Sequence, residues 1–137
     1  MQSLTAQTLP RRPKLADLRN YNQANLMHID IGMNKQQVLD AMGGVKTVPI
    51  FDPDRPLGSK KTPGISNPYS RDIKKDSIGN VIEILWYYTD QKDDDRSITK
   101  NELTPIVMEN NSVVGLGWGF FEDYAKRKEI FFDFTNH

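Results

Sequence analysis

Helices first and a meander of strands after them is the element order predicted by this 137-residue chain, an α+β arrangement. Three stretches carry that prediction. Apolar positions recur at intervals of three and four from Leu15 to Ile29, a punctuated helical segment follows at Asn34 to Gly43, and apolar runs suited to strands extend from Val81 to Phe120.

The first helix places Leu15, Leu18, Tyr21, Asn22, Asn25 or Leu26, and Ile29 along one face and is expected to end near Met27. In H-I-D-I-G-M-N-K-Q-Q-V-L-D-A-M-G-G, Asn34 is placed to cap a second helix and Gln37, three residues on, to complete a capping box. Val38, Leu39 and Met42 form its apolar face, and Gly43 supplies a left-handed exit. Residues 1–14 are polar, with Pro10, Arg11, Arg12 and Pro13 and no period, which predicts a flexible tether. Residues 44–68 hold five of the eight prolines, Pro49, Pro53, Pro56, Pro63 and Pro68, so a long irregular, proline-rich loop is expected. Such loops are either functional or disordered, and the disordered reading is preferred.

In V-I-E-I-L-W-Y-Y-T-D, Ile82, Ile84, Trp86 and Tyr88 share one face of a strand while Val81, Glu83, Leu85, Tyr87 and Thr89 share the other. The run Q-K-D-D-D-R-S closes a first hairpin, a second strand covers about Glu102 to Glu109, and Asn110-Asn111 forms a two-residue turn into a third strand from Ser112. Pro105 lacks a ladder donor in the middle strand, so a bulge or a shortened pairing is expected there. The stretch V-V-G-L-G-W-G-F-F fails the dinucleotide-binding fingerprint, because Phe120 stands where the third glycine belongs. Read as an extended strand, it aligns Gly115, Gly117 and Gly119 with Val113 and puts Val114, Leu116, Trp118 and Phe120 on the opposite side. Either the aromatic face fills the core or the bare face admits a helix or a partner. The first is favoured, since Leu116 and Trp118 left in water would each forfeit roughly 1.5–3 kcal/mol of burial. A short helix near Phe121 to Lys128 and a strand-like arm through Ile130, Phe132 and Phe134 complete the chain. The terminal phenylalanines either pack on the core or meet a partner or a membrane interface.

The formal net charge is zero and no cysteine is present, which argues against a nucleic-acid partner and excludes disulfides, thiolate zinc sites and cysteine nucleophiles. No apolar run is long enough for a membrane-spanning helix. The first residues lack the apolar core of a signal peptide, so the chain is expected to be either cytosolic or a mature segment whose leader has been removed. His28 and His137 are too far apart in sequence for a metal motif, and Asp93 to Asp95 lack the glycine and distal glutamate of a calcium loop. Ser66, Ser70 and Ser77 have no nucleophile-elbow context, and Glu83 is a raised-pKa acid only if buried. Lys60-Lys61 and Lys126-Arg127-Lys128 are basic clusters without interleaved aromatics. No catalytic, cofactor-binding or metal-ligating residue is assigned.

The segment I-D-I-G-M-N-K-Q-Q-V-L-D-A-M-G, with Gly32, Met33, Val38, Met42 and Gly43, resembles the second-helix motif of the BamE-like (SmpA/OmlA) lipoproteins of Gram-negative envelopes. Trp86 and Tyr88 resemble that family's W-x-Y strand, and Leu103, Asn111 and Val113 match its closing hairpin loosely. The likeness runs from about Tyr21 to Phe120. It implies one domain over residues 15–137, with two N-terminal helices packed on one face of a three-stranded antiparallel meander. By the same resemblance the function is non-catalytic, without a cofactor: a cell-envelope lipoprotein domain that binds protein partners, in outer-membrane assembly or maintenance. Its place would be the periplasmic face of the outer membrane, reached through a lipid anchor on a leader-borne cysteine. An inhibitor-like module docking on a partner enzyme through its sheet or proline-rich loop is the alternative, and an enzyme with an unrecognised site is the third.

Overall fold

The computed structural model describes residues 8–51, 64–92 and 98–132. The aspartate run at 93–95, Lys60-Lys61, Phe134 and His137 lie outside the described residues, as does the middle of the proline-rich stretch. The fold is α+β, and the sheet is larger than expected. Helix α1 (Leu15–Leu26) and helix α2 (Lys35–Ala41) precede a ribbon of β1 (Lys46–Pro49) and β2 (Gly64–Asn67). Then come β3 (Ser70–Lys75), β4 (Val81–Tyr88), β5 (Leu103–Glu109), β6 (Ser112–Leu116) and helix α3 (Trp118–Lys128). The last four strands form one antiparallel sheet in the order β3-β4-β5-β6.

Helix α2 forms as its sequence dictates. Asn34 Oδ1 accepts from the Gln37 amide at 2.8 Å, Gln37 Oε1 accepts from the Asn34 amide at 2.9 Å, and Gly43 leaves the helix at φ +93°. The Asn110-Asn111 turn has both residues at positive φ, 49° and 66°, the twist a two-residue hairpin requires.

Several expectations are corrected. The sheet has a fourth strand, β3, paired along β4 from Ser70↔Trp86 to Lys75↔Val81. Helices cover both of its faces. Ile82, Ile84 and Trp86 meet Leu18 of α1 and Phe121 and Tyr124 of α3, whereas Leu85, Tyr87, Ile106 and Met108 meet Val38 of α2 and Met42, which caps it. The arms of the proline-rich stretch are ordered as the β1-β2 ribbon, where Pro49 pairs with Gly64 at the ladder's end and Val48 and Ile50 are buried in the core. The glycine-alternating strand stops at Leu116. Gly117, at φ +93°, turns the chain into α3, so Trp118, Gly119 and Phe120 are helical.

The bulge in the β5-β6 ladder lies between Val107 and Met108, not at Pro105. Trp86, opposite Pro105, directs its carbonyl toward Tyr69, so the Pro105 backbone faces β6, where its carbonyl accepts from Gly117. The missing N–H therefore falls where β6 ends, and the β4-β5 ladder loses nothing. The bulge restores alternation: Val113 and Leu116 both reach the α2 face, while Gly115 lies on the other, where an added Cβ would come within 2.6 Å of the Phe120 ring.

Helix α1 lies against the end of β4. Asn22, fully buried, donates to the carbonyl of Tyr88 at 2.8 Å and to Asn67 Oδ1 at 2.9 Å, and Gln23 donates to the carbonyl of Thr89. The stretch read as a tether touches the core at Leu9, and the carbonyl of Pro13 accepts from the Phe51 amide. After α3, Glu129 closes the helix at φ +56°. Ile130 and Phe132 pack against the core while Phe131 is exposed, and residues 129–132 form no strand.

Candidate functional site

Most of the sequence-level candidates are scattered. Ser66, Ser70 and Ser77 fall on β2, on β3 and in the following turn. Glu83 is half-buried between Lys35 Nζ at 2.9 Å and Arg71 Nη1 at 3.7 Å, where it acts as an ion-pair bridge from α2 to the outer strand. His28 follows α1, and no group of three or more His, Cys, Asp or Glu able to hold a metal occurs among the described residues. Of the basic cluster near the C-terminus, Lys128 is engaged by Asp76 at 3.2 Å and Glu109 at 3.1 Å, and Arg127 lies over the Tyr124 ring.

The surface that gathers unusual features is the β3-β4 hairpin. On β3, S-R-D-I-K-K, the residues Arg71, Ile73, Lys74 and Lys75 are all exposed. Ile73 is 54% accessible, Val81 40% and, at the turn, Ile78 82%. Ile73 pairs with Glu83 and Lys75 with Val81, so Arg71, Ile73, Lys75 and Val81 lie on the face that α2 covers only farther in. Three exposed branched aliphatics on one hairpin are more than scattered surface apolarity requires.

That hairpin is rigidly held. Asp76 Oδ1 accepts from the amides of Ile78 and Asn80 at 3.1 and 2.8 Å, and Oδ2 accepts from Asn80 Nδ2 at 2.8 Å and Lys128 Nζ at 3.2 Å. Asn80 Oδ1 accepts from Asn110 Nδ2, whose Oδ1 in turn accepts from the Val81 amide, so the two hairpin turns are tied together. Glu109 Oε1 accepts from the Tyr124 hydroxyl at 2.5 Å, which fastens α3 to the same cluster. An open cleft of about 420 Å³ beside it is lined by Lys74, Lys75, Ser77, Lys128, Ile130 and Phe131 among others.

These bonds shift the ionisation of the cluster. Asn80, with help from Lys128, holds the Asp76 carboxyl at about 2, and the Tyr124 hydroxyl with Lys128 lowers Glu109. Burial, reinforced by Glu109, raises Tyr124, and Glu109 with Asp76 raises Lys128. A lowered carboxyl stabilises the fold above its unfolded value near 3.8, and that contribution is lost as pH falls toward 2. A raised tyrosine or lysine contributes below its unfolded value, 10.0 or 10.5, and that contribution is lost on the alkaline side. The urea midpoint is therefore expected to be flat from about pH 5 to 9 and to fall beyond both limits. Asp76→Asn should make the acid limb shallower and leave most of the alkaline limb in place, since Glu109 still holds Lys128 and burial still raises Tyr124; an unchanged acid limb would remove Asp76 from the account.

A lysine farther along the same face, beside Trp86, is distinct from this cluster. Lys100 lies 4.3 Å over the Trp86 ring and 3.9 Å from Asp72, and burial lowers its pKa against the pull of that carboxylate. Asp72 also accepts the Trp86 indole N–H at 2.8 Å.

The sequence reading missed β3 altogether. Its signal was D-S-I-G-N, where Asp76 accepts from backbone two and four residues on and Gly79 takes φ +94°: hairpin chemistry immediately before an evident strand.

The fold and this surface define an α+β domain with an exposed basic and apolar hairpin. Residues 67–123, from the end of β2 into α3, match the family described as "Protein of unknown function (DUF3192)". No curated protein and no solved structure matches the chain.

Proposed function

We propose that the chain is a non-catalytic domain of the bacterial cell envelope that works by holding a protein partner against its β3-β4 hairpin. The observation that carries the partner reading is the exposure of Ile73, Ile78 and Val81 on a turn locked by Asp76 and Asn80. A rigid apolar surface loses little conformational entropy when it is covered, which is what a docking element needs. The envelope setting rests on the capped helix around Gly32, Met33, Val38 and Gly43 and its resemblance to the BamE-like lipoproteins. No helix among the described residues is long and apolar enough to cross a membrane, so in this reading membrane attachment comes from a lipid anchor.

Site-specific photo-crosslinking in the native host tests the partner. With p-benzoylphenylalanine at Ile73 or Ile78, a discrete protein adduct is expected, and none at exposed Glu122 on α3. Adducts of equal yield at all three positions, or at none, would refute the hairpin as a docking surface. Fractionation of the full-length protein, with mass spectrometry of its N-terminus, tests the setting; a cytosolic chain without an acyl group would exclude it.

A further inference from the structure

We propose that β3 takes up an additional strand, contributed by a partner segment in which acidic and apolar side chains alternate on one face. This rests on the partner-binding reading above and specifies the mode and the chemistry.

The sheet ends at β3 on one side. Its other end is closed, because β6 exchanges backbone bonds with the α1-α2 link: Gly32 donates to the carbonyl of Val113, and Val113 donates to the carbonyl of Met33, both at 2.9 Å. Trp86 directs its carbonyl toward β3 and stands opposite Ser70, so Ser70, Asp72 and Lys74 turn their backbone groups inward to β4. Arg71, Ile73 and Lys75 therefore turn theirs outward. Among the described residues no segment pairs with that row. The strand contains no proline, and its ladder with β4 is continuous over six pairs, so the outward row is a regular template.

Charge selects the occupant. Arg71, Lys74 and Lys75 are basic, and the nearby carboxylates already have partners within the chain: Glu83 with Lys35 and Arg71, Asp76 with Lys128, and Asp72 with the Trp86 indole. Lys75 has no carboxylate partner among the described residues. On the α2 face the outward row reads Arg71, Ile73, Lys75, so an added strand meets it best with acid, aliphatic, acid at alternate positions.

A second copy fits poorly. Antiparallel pairing centred on Ile73 sets Arg71 against the copy's Lys75 twice, and shifting the register one step either way sets Asp72 on Asp72 or Lys74 on Lys74. The Asp72 to Lys74 contacts of the centred register draw on a carboxylate already bonded to Trp86. A charged edge of this kind discourages self-association and leaves an acidic strand as the complementary ligand.

The test uses the ¹⁵N-labelled full chain and a synthetic peptide, acetyl-Thr-Glu-Thr-Val-Thr-Glu-Thr-amide, which carries Glu, Val and Glu on one face. Its binding is expected to shift the amides of Arg71, Ile73 and Lys75 and to slow their hydrogen exchange. N-methylation of the peptide residues that face β3 should weaken binding about tenfold or more, since two or three backbone bonds are removed. Lys75→Glu, an exposed change, should weaken it about fivefold, and replacing only the peptide glutamate opposite position 75 by lysine, with the one opposite Arg71 kept, should restore affinity for that variant. Absence of binding, indifference to N-methylation, or protection of amides elsewhere would overturn the proposal. Concentration-dependent protection of the same amides without peptide would overturn it in favour of self-pairing. If crosslinks form at Ile78 while the peptide arm fails, partner binding stands and strand addition falls. If neither occurs, both fall.

Discussion

Replacing Trp86 by alanine is expected to cost about 3–5 kcal/mol, the largest single loss in the chain and a sizeable share of the roughly 5–15 kcal/mol that holds such domains folded. Trp86 is fully buried at the meeting point of β3, β4 and α3. Its ring lies 5.1 Å from that of Phe121 and 5.2 Å from that of Trp118, and its indole N–H reaches Asp72 at 2.8 Å. Alanine removes the ring that α3 packs on and leaves Asp72 without that donor. Phenylalanine keeps most of the apolar surface and loses the donor, so Trp86→Phe should cost only about 1–2 kcal/mol. Urea denaturation followed by far-ultraviolet circular dichroism measures both. An alanine loss below about 1 kcal/mol would mean that the α3 face is not packed as described.

Gly43→Ala should cost about 2–4 kcal/mol, from two sources that a neighbouring residue separates. Gly43 has φ +93°, and a Cβ there would stand 1.8 Å from the Tyr21 hydroxyl oxygen and 2.8 Å from Tyr21 Cζ. Gly44, at φ +86°, has open space at the same position, so Gly44→Ala bears the backbone strain alone, about 1–2 kcal/mol. The excess at Gly43 is the collision with α1. Tyr21→Phe in the Gly43→Ala background relieves the closest contact and should recover part of that excess, although it gives up the hydroxyl that accepts from Lys46 Nζ at 3.1 Å. Equal losses at Gly43 and Gly44 would show that α1 does not approach the exit of α2.

Elements whose causes are local were legible in the sequence. The reciprocal bonds of Asn34 and Gln37 and the positive φ of Asn110 and Asn111 depend on residues within a few positions of one another, and the structure has both where the pattern put them. The run I-L-W-Y-Y was legible as a strand, but its burial was not. Unbroken apolarity from Ile84 to Tyr88 marks a strand covered on both faces, as α2, α1 and α3 cover it here, and sorting its residues onto two faces does not by itself show that both are covered. Likewise the alternation of Val113 to Phe120 continued on paper past Leu116. Gly117 ends it in the fold, and Trp118 and Phe121 then reach Trp86 from a helix.

The candidate site was the least legible part. In β3 only Ile73 is apolar, so its strand character comes from the ladder with β4 more than from its own composition. Glu83, weighed as a buried acid, became an ion-pair bridge because α2 brings Lys35 to it across 48 residues of sequence. Caps, turns and the class of the fold follow from neighbours along the chain and could be read from the residues alone. Which strand ends the sheet, which face each helix covers and which aliphatics stay in water were decided only in three dimensions. Those outcomes depend on pairings between distant segments, whose energies come from shared burial and from ladder bonds that no single segment contains.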